Sequence, residues 1–397
     1  MFASTRALII KEENKMKKFI SLMLTVSLLC TFFVFGVNAE DGEELTKLSF
    51  GEDGKFTVLQ LTDPQEDACI ADGLIEFIEK SIEATDPDFI VITGDLVENS
   101  RAGDISDSEI FKEGVTVDGD YEKTLENTKK AVAQMFAPLE ESGIPYAVTQ
   151  GNNDYSSEVT LEDWMAIYAE YPNCITAEYC DMLSTKVDYY VPVYSASGEP
   201  AFGIWMLDNG KGFGEEQMNW FTSYDNGGVP GVVFEHIPLD DMGNLYEECK
   251  IWDEGALISG TKAYRLNGEF ACGHAEGIIT PGATTDIFKA YKAKNVVGAF
   301  FGHWHTSGFT GVWDGVTFGM TYGCQFSKLG PYGVRTVTLD EATGTIETEL
   351  FVYENGEFTK QLDEPYAEYD NAFDKALNAV ICFFENIFNA LKYALKF

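Results

Sequence analysis

The feature that most constrains this chain is a repeated alternation of short apolar runs and amphipathic stretches, with a polar residue where each run ends. FTVLQLT (56–62), DFIVIT (88–93) and PYAVTQ (145–150) are rich in β-formers, and helices predicted over 71–85 and 121–143 separate them. Such alternation is typical of βαβ units with parallel strands. Ligands collect at the carboxyl ends of the strands in such sheets. The pattern therefore predicts an α/β domain with a site at one edge of one sheet.

The strand-end residues are of the kinds that bind metal ions. Acids and amides follow the first three strands, and histidines follow two later apolar runs, GVVFEHIP (231–238) and VVGAFF (296–301). The chain has only four histidines, and three of them fall at these ends. Oxygen and nitrogen ligands without thiolates suit Mn, Fe, Zn or Mg. The candidate ligands are Asp63, Gln65, Asp95, Asn152, His236, His303 and His305. For the H-x-H pair taken alone, two loop histidines without a ligand are an equal alternative.

Charge narrows the range of partners. The 397 residues carry a formal net charge of -38, and residues 1–39 contribute five Lys/Arg against two Glu. The remaining chain is therefore close to -41. Such a body is repelled by nucleic acid and by anionic membranes unless cations intervene. From this charge we expect no nucleic-acid partner.

The N-terminal 39 residues have the organisation of a secretory signal. Met16 and two lysines precede a long apolar segment. Val37 and Ala39 are the small residues at the -3 and -1 positions of a cut after Ala39. Residues 1–15 are interpreted as a false start upstream of Met16. We expect a secreted or cell-surface protein. The alternative is an uncleaved membrane anchor, since Phe19 to Val37 has 19 residues, near the lower limit for spanning a bilayer.

The C-terminal segment 365–397 is predicted to form an amphipathic helix outside the main domain, which spans 45–355. Apolar residues recur every three to four positions from Phe373 to Leu395, and Lys392 and Lys396 lie in the last turns. This pattern fits an interfacial membrane contact or a partner helix. It fits equally well a helix that packs on its own domain.

Taken in order, the strand-end motifs resemble the calcineurin-like metallophosphoesterase superfamily. The order is D-x-(H/Q), G-D, G-N-x-D, H and G-H-x-H, and VFEH (233–236) fits the form found in relatives of purple acid phosphatases. YPNCIT, MLDNG, EHIPL and YGVR are most similar to the Dcr-type branch. The resemblance covers roughly residues 55–352. It implies an α/β fold in which two mixed β-sheets form a four-layer sandwich with flanking helices.

The resemblance also implies two divalent metal ions (Mn, Fe, Zn or Mg) that share Asp95. One ion would take Asp63, Gln65, Asp95 and His305, and the other would take Asp95, Asn152, His236 and His303. Asn152, Asn153 and Asp154 would form the catalytic segment. Two adjacent cations bind phosphate oxygens and lower the pKa of a bridging water. The expected activity is phosphate-ester hydrolysis.

Two departures from the family pattern weaken this expectation. Gln65 stands where most members have histidine, and its amide oxygen is a weaker ligand. Asn153 stands where the family has the histidine that protonates the leaving group, and asparagine cannot act as an acid. General acid catalysis contributes about 10²–10⁴-fold, so an attenuated enzyme is expected. His274 could substitute, although a surface histidine is the stronger interpretation.

The alternative function is a pseudo-phosphatase that binds a phosphate ligand or a partner. Glu98 replaces the tyrosine of the purple enzymes, so no purple centre is expected.

Overall fold

The structure is a computed structural model that describes residues 45–98, 121–156, 159–183, 185–280, 282–327, 330–361, 379–384 and 386–388. The predicted signal segment and most of the predicted C-terminal helix lie outside these residues.

The described chain forms eighteen strands. They are β1 Leu48–Ser49, β2 Lys55–Leu61, β3 Phe89–Thr93, β4 Tyr146–Thr149, β5 Asp181–Met182, β6 Val187–Tyr194, β7 Pro200–Met206, β8 Gly231–Phe234, β9 Tyr246–Cys249, β10 Leu257–Ser259, β11 Lys262–Leu266, β12 Ala271–His274, β13 Val296–Phe301, β14 Gly308–Trp313, β15 Val316–Met320, β16 Tyr332–Asp340, β17 Thr345–Glu354 and β18 Glu357–Lys360.

Six α-helices lie among these strands, together with 3₁₀ turns at Asp154–Ser156 and Asp240–Leu245. The helices are α1 Leu74–Thr85, α2 Tyr121–Ser142, α3 Leu161–Tyr168, α4 Thr176–Tyr179, α5 Glu215–Ser223 and α6 Asp286–Ala293. Helix α3 begins with a capping box in which Thr160 and Asp163 bind each other's backbone amides. The five predicted apolar runs are confirmed as β2, β3, β4, β8 and β13, and the two predicted helices as α1 and α2, with ends that shift by up to four residues.

The strands form two large mixed sheets. The six-stranded sheet has the order β18-β17-β16-β2-β3-β4, and its last three strands are parallel. The nine-stranded sheet has the order β1-β6-β7-β8-β13-β15-β14-β12, with β5 beside β6. In its centre β7, β8, β13 and β15 are all parallel. A small antiparallel sheet contains β9, β10 and β11.

Three hydrophobic cores arrange these elements in four layers. One core lies between the two large sheets and joins residues such as Val91 of β3 to Phe234 of β8 and Phe300 of β13. A second packs α1 and α2 on the outer face of the six-stranded sheet. The third packs α5 and α6 on the outer face of the nine-stranded sheet. The predicted sandwich of two mixed sheets flanked by helices is therefore confirmed.

The described part of the C-terminal segment, 379–384 and 386–388, is helical. Asn386 donates hydrogen bonds from Nδ2 to the backbone carbonyls of Ile251 (2.9 Å) and Asp253 (3.1 Å). Phe384 and Phe388 remain 65% and 68% exposed. One side of this helix therefore docks on its own domain, while membrane contact through the other side stays a prediction. Among the residues that the structure describes, no helix is long and apolar enough to cross a membrane.

Candidate metal centre

The strand-end residues of both large sheets meet at one place. Asp63 and Asp95 follow β2 and β3 of the six-stranded sheet, whereas His236 and His303 follow β8 and β13 of the nine-stranded sheet. The expectation that all of them share the edge of one sheet is therefore wrong. The two sheets pack face to face, so their carboxyl edges lie side by side and the loops of each reach the same cleft.

The two acid-bearing loops are tied together by backbone hydrogen bonds. The Asp63 amide donates to the carbonyl of Gly94 (3.2 Å), and the Gln65 amide donates to the carbonyl of Asp95 (2.9 Å). One step further on, the Glu98 amide donates to the carbonyl of Glu66 (3.3 Å). The loops after β2 and β3 thus hold one another in register at the site.

Four of the predicted ligands have a backbone conformation that non-glycine residues rarely adopt. The φ angles are positive at Asp63 (53°), Gln65 (45°), Asp95 (53°) and His303 (70°). Residues in this left-handed region cost free energy and cluster at functional sites, where the surrounding structure holds them. The loops are therefore shaped to aim these side chains into the cleft.

Two glycines allow the loops to approach each other closely. A Cβ atom on Gly151 would lie 2.1 Å from Asp95 Oδ1, and a Cβ atom on Gly302 would lie 1.9 Å from Thr62 Oγ1. Any other residue at either position would push aside the loop that carries Asp63 or Asp95. The glycines of G-N and G-H therefore have a steric role at the site.

His236 is fully buried and fixed by hydrogen bonds to the main chain. Its Nδ1 lies 2.8 Å from the carbonyl oxygen of Thr93, which makes Nδ1 the protonated nitrogen and leaves Nε2 as a ligand atom. Nε2 faces Asp95 Oδ2 at 3.3 Å, Asn152 Oδ1 at 3.1 Å and His303 Nδ1 at 3.2 Å. The donor atoms of both sheets therefore converge on a small volume.

The atoms that could bind a metal ion fall into two groups that share Asp95. Asp95, His236 and His303 form one group, and Asp63, Asp95 and His305 form the other. Within each group the ligand atoms lie within 4.8 Å of one another. Each group contains three of the four ligands in one of the sets that the family resemblance implies, without Gln65 in one group and without Asn152 in the other. They open on a cleft of about 250 Å³ lined by Gln65, Asp95, Glu98, Asn152, Asn153, His303 and His305.

The chemistry of Asp63 fits a bound cation. Its Oδ1 is buried and forms no hydrogen bond within the described residues, although His305 Nε2 lies 3.3 Å away. Burial raises the pKa of this carboxyl, but His236 and His305 together lower it well below its ordinary value. A buried, ionised carboxylate with an unbound oxygen beside imidazoles is suited to a divalent ion.

Gln65 and Asn153 both bind the carboxylate of Asp95. Gln65 Nε2 donates to Asp95 Oδ2 (2.8 Å), and Asn153 Nδ2 donates to the same oxygen (2.6 Å). The Asn153 backbone amide also donates to Asp95 Oδ1 (2.8 Å). The two amides that replace family histidines therefore position the shared carboxylate.

Asp154 is buried and binds the backbone of two ligand loops. It does not line the cleft, and its oxygens accept hydrogen bonds from the backbone amides of Asp95 (2.8 Å), Val97 (3.2 Å) and Gly151 (2.8 Å). Burial and the nearby Asp95 raise its pKa to about 8. Asp154 thus holds two ligand loops together, and its catalytic role stays a prediction.

The structure also shows where His274 lies and identifies Asn209 as a residue that contacts the His236 loop. His274 is exposed at the end of β12 and is absent from the cleft, so it does not stand in for the missing acid. Asn209 was not predicted. Its Oδ1 accepts hydrogen bonds from the amides of His236 (3.1 Å) and Ile237 (2.8 Å). Asn209 also follows an apolar strand, β7, which is the signal that identified the other residues.

The described residues thus include two groups of acids and imidazoles that could hold metal ions. Residues 56–307 match the calcineurin-like phosphoesterase family, and the chain belongs to that family.

Two relatives come from Arabidopsis thaliana and are named as purple acid phosphatases. The protein called probable inactive purple acid phosphatase 14 is 24% identical over 387 residues, covering 83% of this chain and 86% of the relative. Probable inactive purple acid phosphatase 29 is 24% identical over 351 residues, covering 74% and 79%.

Among solved structures, a dimetal phosphatase from Danio rerio matches at a TM-score of 0.41 and 11% identity, covering 74% of this chain and 98% of that chain. The Plasmodium protein GAP50, described as the anchor in the inner membrane complex, matches at a TM-score of 0.45 and 13% identity, covering 83% and 95%.

Proposed function

We propose that this protein is a secreted, metal-dependent phosphoesterase that hydrolyses small phosphate esters at a binuclear site. The observation that carries the proposal is the pair of ligand groups that share Asp95 on one cleft. Each group would hold one divalent ion of Mn, Fe, Zn or Mg. When bound, such ions activate water as a nucleophile and neutralise the charge on the phosphoryl group in the transition state.

The chain's own residues would position the reacting groups. The carboxylate of Asp95 accepts three hydrogen bonds, from Gln65 and Asn153, and has the imidazole of His236 beside it. The directions of its two oxygens are therefore fixed. His236 is held with Nε2 toward the cleft by the carbonyl of Thr93. Asn152 and Asn153 face the cleft with amides that can donate hydrogen bonds to phosphate oxygens. A preorganised set of donors of this kind stabilises the charge that develops in the transition state.

We propose further that the activity is attenuated toward poor leaving groups. Asn153 cannot protonate a departing alkoxide, which is worth about 10²–10⁴-fold in other enzymes. Two relatives that bear the words "probable inactive" in their names support weak activity for this chain as well. Aryl esters, whose leaving groups need no proton, should be hydrolysed more readily than alkyl esters.

Metal analysis combined with aryl phosphate hydrolysis tests the proposal. The purified protein should bind about two equivalents of metal and hydrolyse 4-nitrophenyl phosphate or bis(4-nitrophenyl) phosphate. Asp95→Asn should remove both the bound metal and the turnover. A wild-type protein that binds no divalent metal under any condition would exclude the proposed function.

The second candidate is a pseudo-phosphatase that binds a phosphate ligand or a partner, and the Asn153 substitution is what favours it. It predicts two bound metal ions without turnover of any aryl ester. Hydrolysis by the wild type that Asp95→Asn abolishes would eliminate this candidate.

Secretion is part of the proposal and rests on residues 1–39. Amino-terminal sequencing of the exported protein should begin after Ala39. A mature protein that retains the apolar segment and fractionates with membranes would instead support the uncleaved anchor.

A further inference from the structure

The backbone amide of His236 is bound by a side chain where a sheet would ordinarily supply a backbone carbonyl. The parallel pairing of β7 with β8 ends with the hydrogen bond from the Leu207 amide to the carbonyl of Phe234 (3.0 Å). The next bond of the series would join the His236 amide to the carbonyl of Leu207, whereas that carbonyl accepts from the hydroxyl of Thr149 (3.0 Å). The His236 amide donates to Oδ1 of Asn209 (3.1 Å). The side chain of Asn209 thus extends the sheet to the residue that carries the imidazole.

The side-chain amide of Asn209 uses all four of its hydrogen-bonding positions. Oδ1 also accepts from the amide of Ile237 (2.8 Å), and Nδ2 donates to the carbonyl of Ile237 (2.6 Å) and to Oε2 of Glu235 (2.7 Å). The other carboxyl oxygen of Glu235 accepts from the hydroxyl of Tyr291 on α6 (2.8 Å). Asn209, Glu235 and Tyr291 are each at most 3% exposed. These three residues, the buried clamp, hold the backbone around His236 from the protein interior.

The direction of the His236 ring depends on this backbone. Nδ1 of the ring lies 2.8 Å from the carbonyl oxygen of Thr93, at the end of β3 in the other large sheet. Nε2 lies 3.1 Å from Asn152 Oδ1 and 3.3 Å from Asp95 Oδ2. Groups that hold a metal ligand from behind commonly change metal affinity by about 10–100-fold, because they fix the direction in which the ligand atom points. The buried clamp is placed to have such an effect.

We propose that Asn209 is a positioning residue that sets the affinity of the metal position containing His236, an inference that rests on the binuclear site of the proposed function. Asn209 is not among the residues that line the cleft, so it acts through the backbone of the His236 loop. The other metal position takes no residue from the loop after β8 and should be affected much less. Because metal binding precedes turnover, the effect is expected whether or not the bound ions hydrolyse esters.

Titration calorimetry of the purified, metal-free protein with Mn²⁺ alone tests this by resolving two binding steps. Asn209→Ala should weaken one step by about 10–100-fold and leave the other nearly unchanged. The weakened step should be the one that is lost in His236→Asn. Tyr291→Phe removes only the hydroxyl that supports Glu235, so it should weaken the same step by a smaller factor.

Asn226→Ala is the matched control. Asn226 is also buried, and its Nδ2 donates to the carbonyls of Val229 (3.1 Å) and Lys294 (3.2 Å), near the start of β8 and at the opposite end of that strand from His236. Asn226→Ala should therefore leave both Mn²⁺ affinities unchanged. Thermal unfolding of each metal-free variant separates a loss of stability from a loss of metal affinity.

Equal weakening of both steps by Asn209→Ala would overturn the inference, and so would the same loss in Asn226→Ala. Unchanged Mn²⁺ binding in a folded Asn209→Ala would overturn it as well. If Asn209→Ala does not fold, Tyr291→Phe decides, since unchanged affinities in that variant would also contradict a positioning role. All these outcomes leave the proposed function intact, whereas a wild type that binds no divalent metal would remove the proposed function itself.

Discussion

This protein buries two clusters of acids that differ in their neighbours. The cleft cluster consists of Asp63 and Asp95, and both lie about 3.3 Å from an imidazole nitrogen. The interior cluster consists of Asp188, Asp208 and Glu235, which are all fully buried and line no part of the cleft.

The carboxyl groups of the interior cluster accept hydrogen bonds from neutral donors, and one lysine lies nearby. Gln217 Nε2 donates to Asp188 (2.7 Å), the Tyr155 hydroxyl donates to Asp208, and the hydroxyl of Tyr291 donates to Glu235 (2.8 Å). The Nζ of Lys186 lies 3.9 Å from Asp208. Gln217, Lys186 and Tyr291 are buried, and Tyr155 is half-buried.

Equal burial has opposite consequences in the two clusters. Burial raises the pKa of Asp188 to about 8 and raises that of Glu235 well above its ordinary value. Burial has the same tendency at Asp63, but two imidazoles overcome it and lower its pKa. The comparison teaches that neighbours, more than burial, decide whether a buried acid is a charged ligand or a neutral hydrogen-bonding group.

The largest effect on activity is expected when an imidazole that contacts the cleft cluster is removed. His236→Asn should abolish binding at one metal position and lower kcat/KM by about 100-fold or more, because metal-site residues seldom tolerate replacement. Metal content and aryl ester hydrolysis measure this. His274→Asn, at an exposed histidine outside the cleft, is the control and should behave as the wild type. Similar losses in both variants would show that the effect is not specific to the cleft.

A smaller gain of activity is expected when a proton donor is restored to the cleft. Asn153→His should raise kcat/KM for alkyl phosphate esters by about tenfold, within the range that general acid catalysis supplies. Aryl esters with good leaving groups should change little. Rates measured across a series of leaving groups test this. An equal gain for every leaving group would argue against a missing proton donor.

A further effect is expected from the interior cluster, and it concerns the stability of the fold and not the activity. Asp188 remains protonated in the fold up to about pH 8, whereas an unfolded aspartate ionises near pH 4. The unfolded state therefore binds fewer protons between these values, and stability falls as pH rises from about 4 to about 8. The slope from this residue is at most about 1.4 kcal/mol per pH unit.

Asp188→Asn should remove this contribution, because its amide replaces the protonated carboxyl with similar shape. Denaturant unfolding at several pH values measures the slope, and the metal site should retain its ions. Asp72→Asn, at an exposed aspartate, should keep the slope of the wild type. Parallel curves for the wild type and Asp188→Asn would contradict the assignment of a neutral Asp188.

Much of the candidate site was predictable because its residues share a local signal. Asp63, Asp95, Asn152, His236 and His303 all follow apolar strands, and all of them lie at the cleft or contact the residues that line it. Asn209 carries the same signal after β7, so its contact with the His236 loop could have been found in the same way.

The role of Asp154 in holding the loops could not be predicted from its position after an apolar strand. Two of its partners are backbone amides of the loop after β3, 59 and 57 residues away in the chain, and no side-chain pattern in the sequence predicts such an approach. The same holds for the clash that a Cβ on Gly151 would make with Asp95.

The sequence by itself determined the kinds of ligand atoms, their order and the strands that carry them, since strand periodicity and chain-breaking residues are local properties. Only the tertiary structure decided that these strands belong to two sheets whose edges coincide. It also decided which buried acids are charged, and that Glu98 faces the cleft. The physical reason is that charge state and orientation depend on groups brought together from distant parts of the chain.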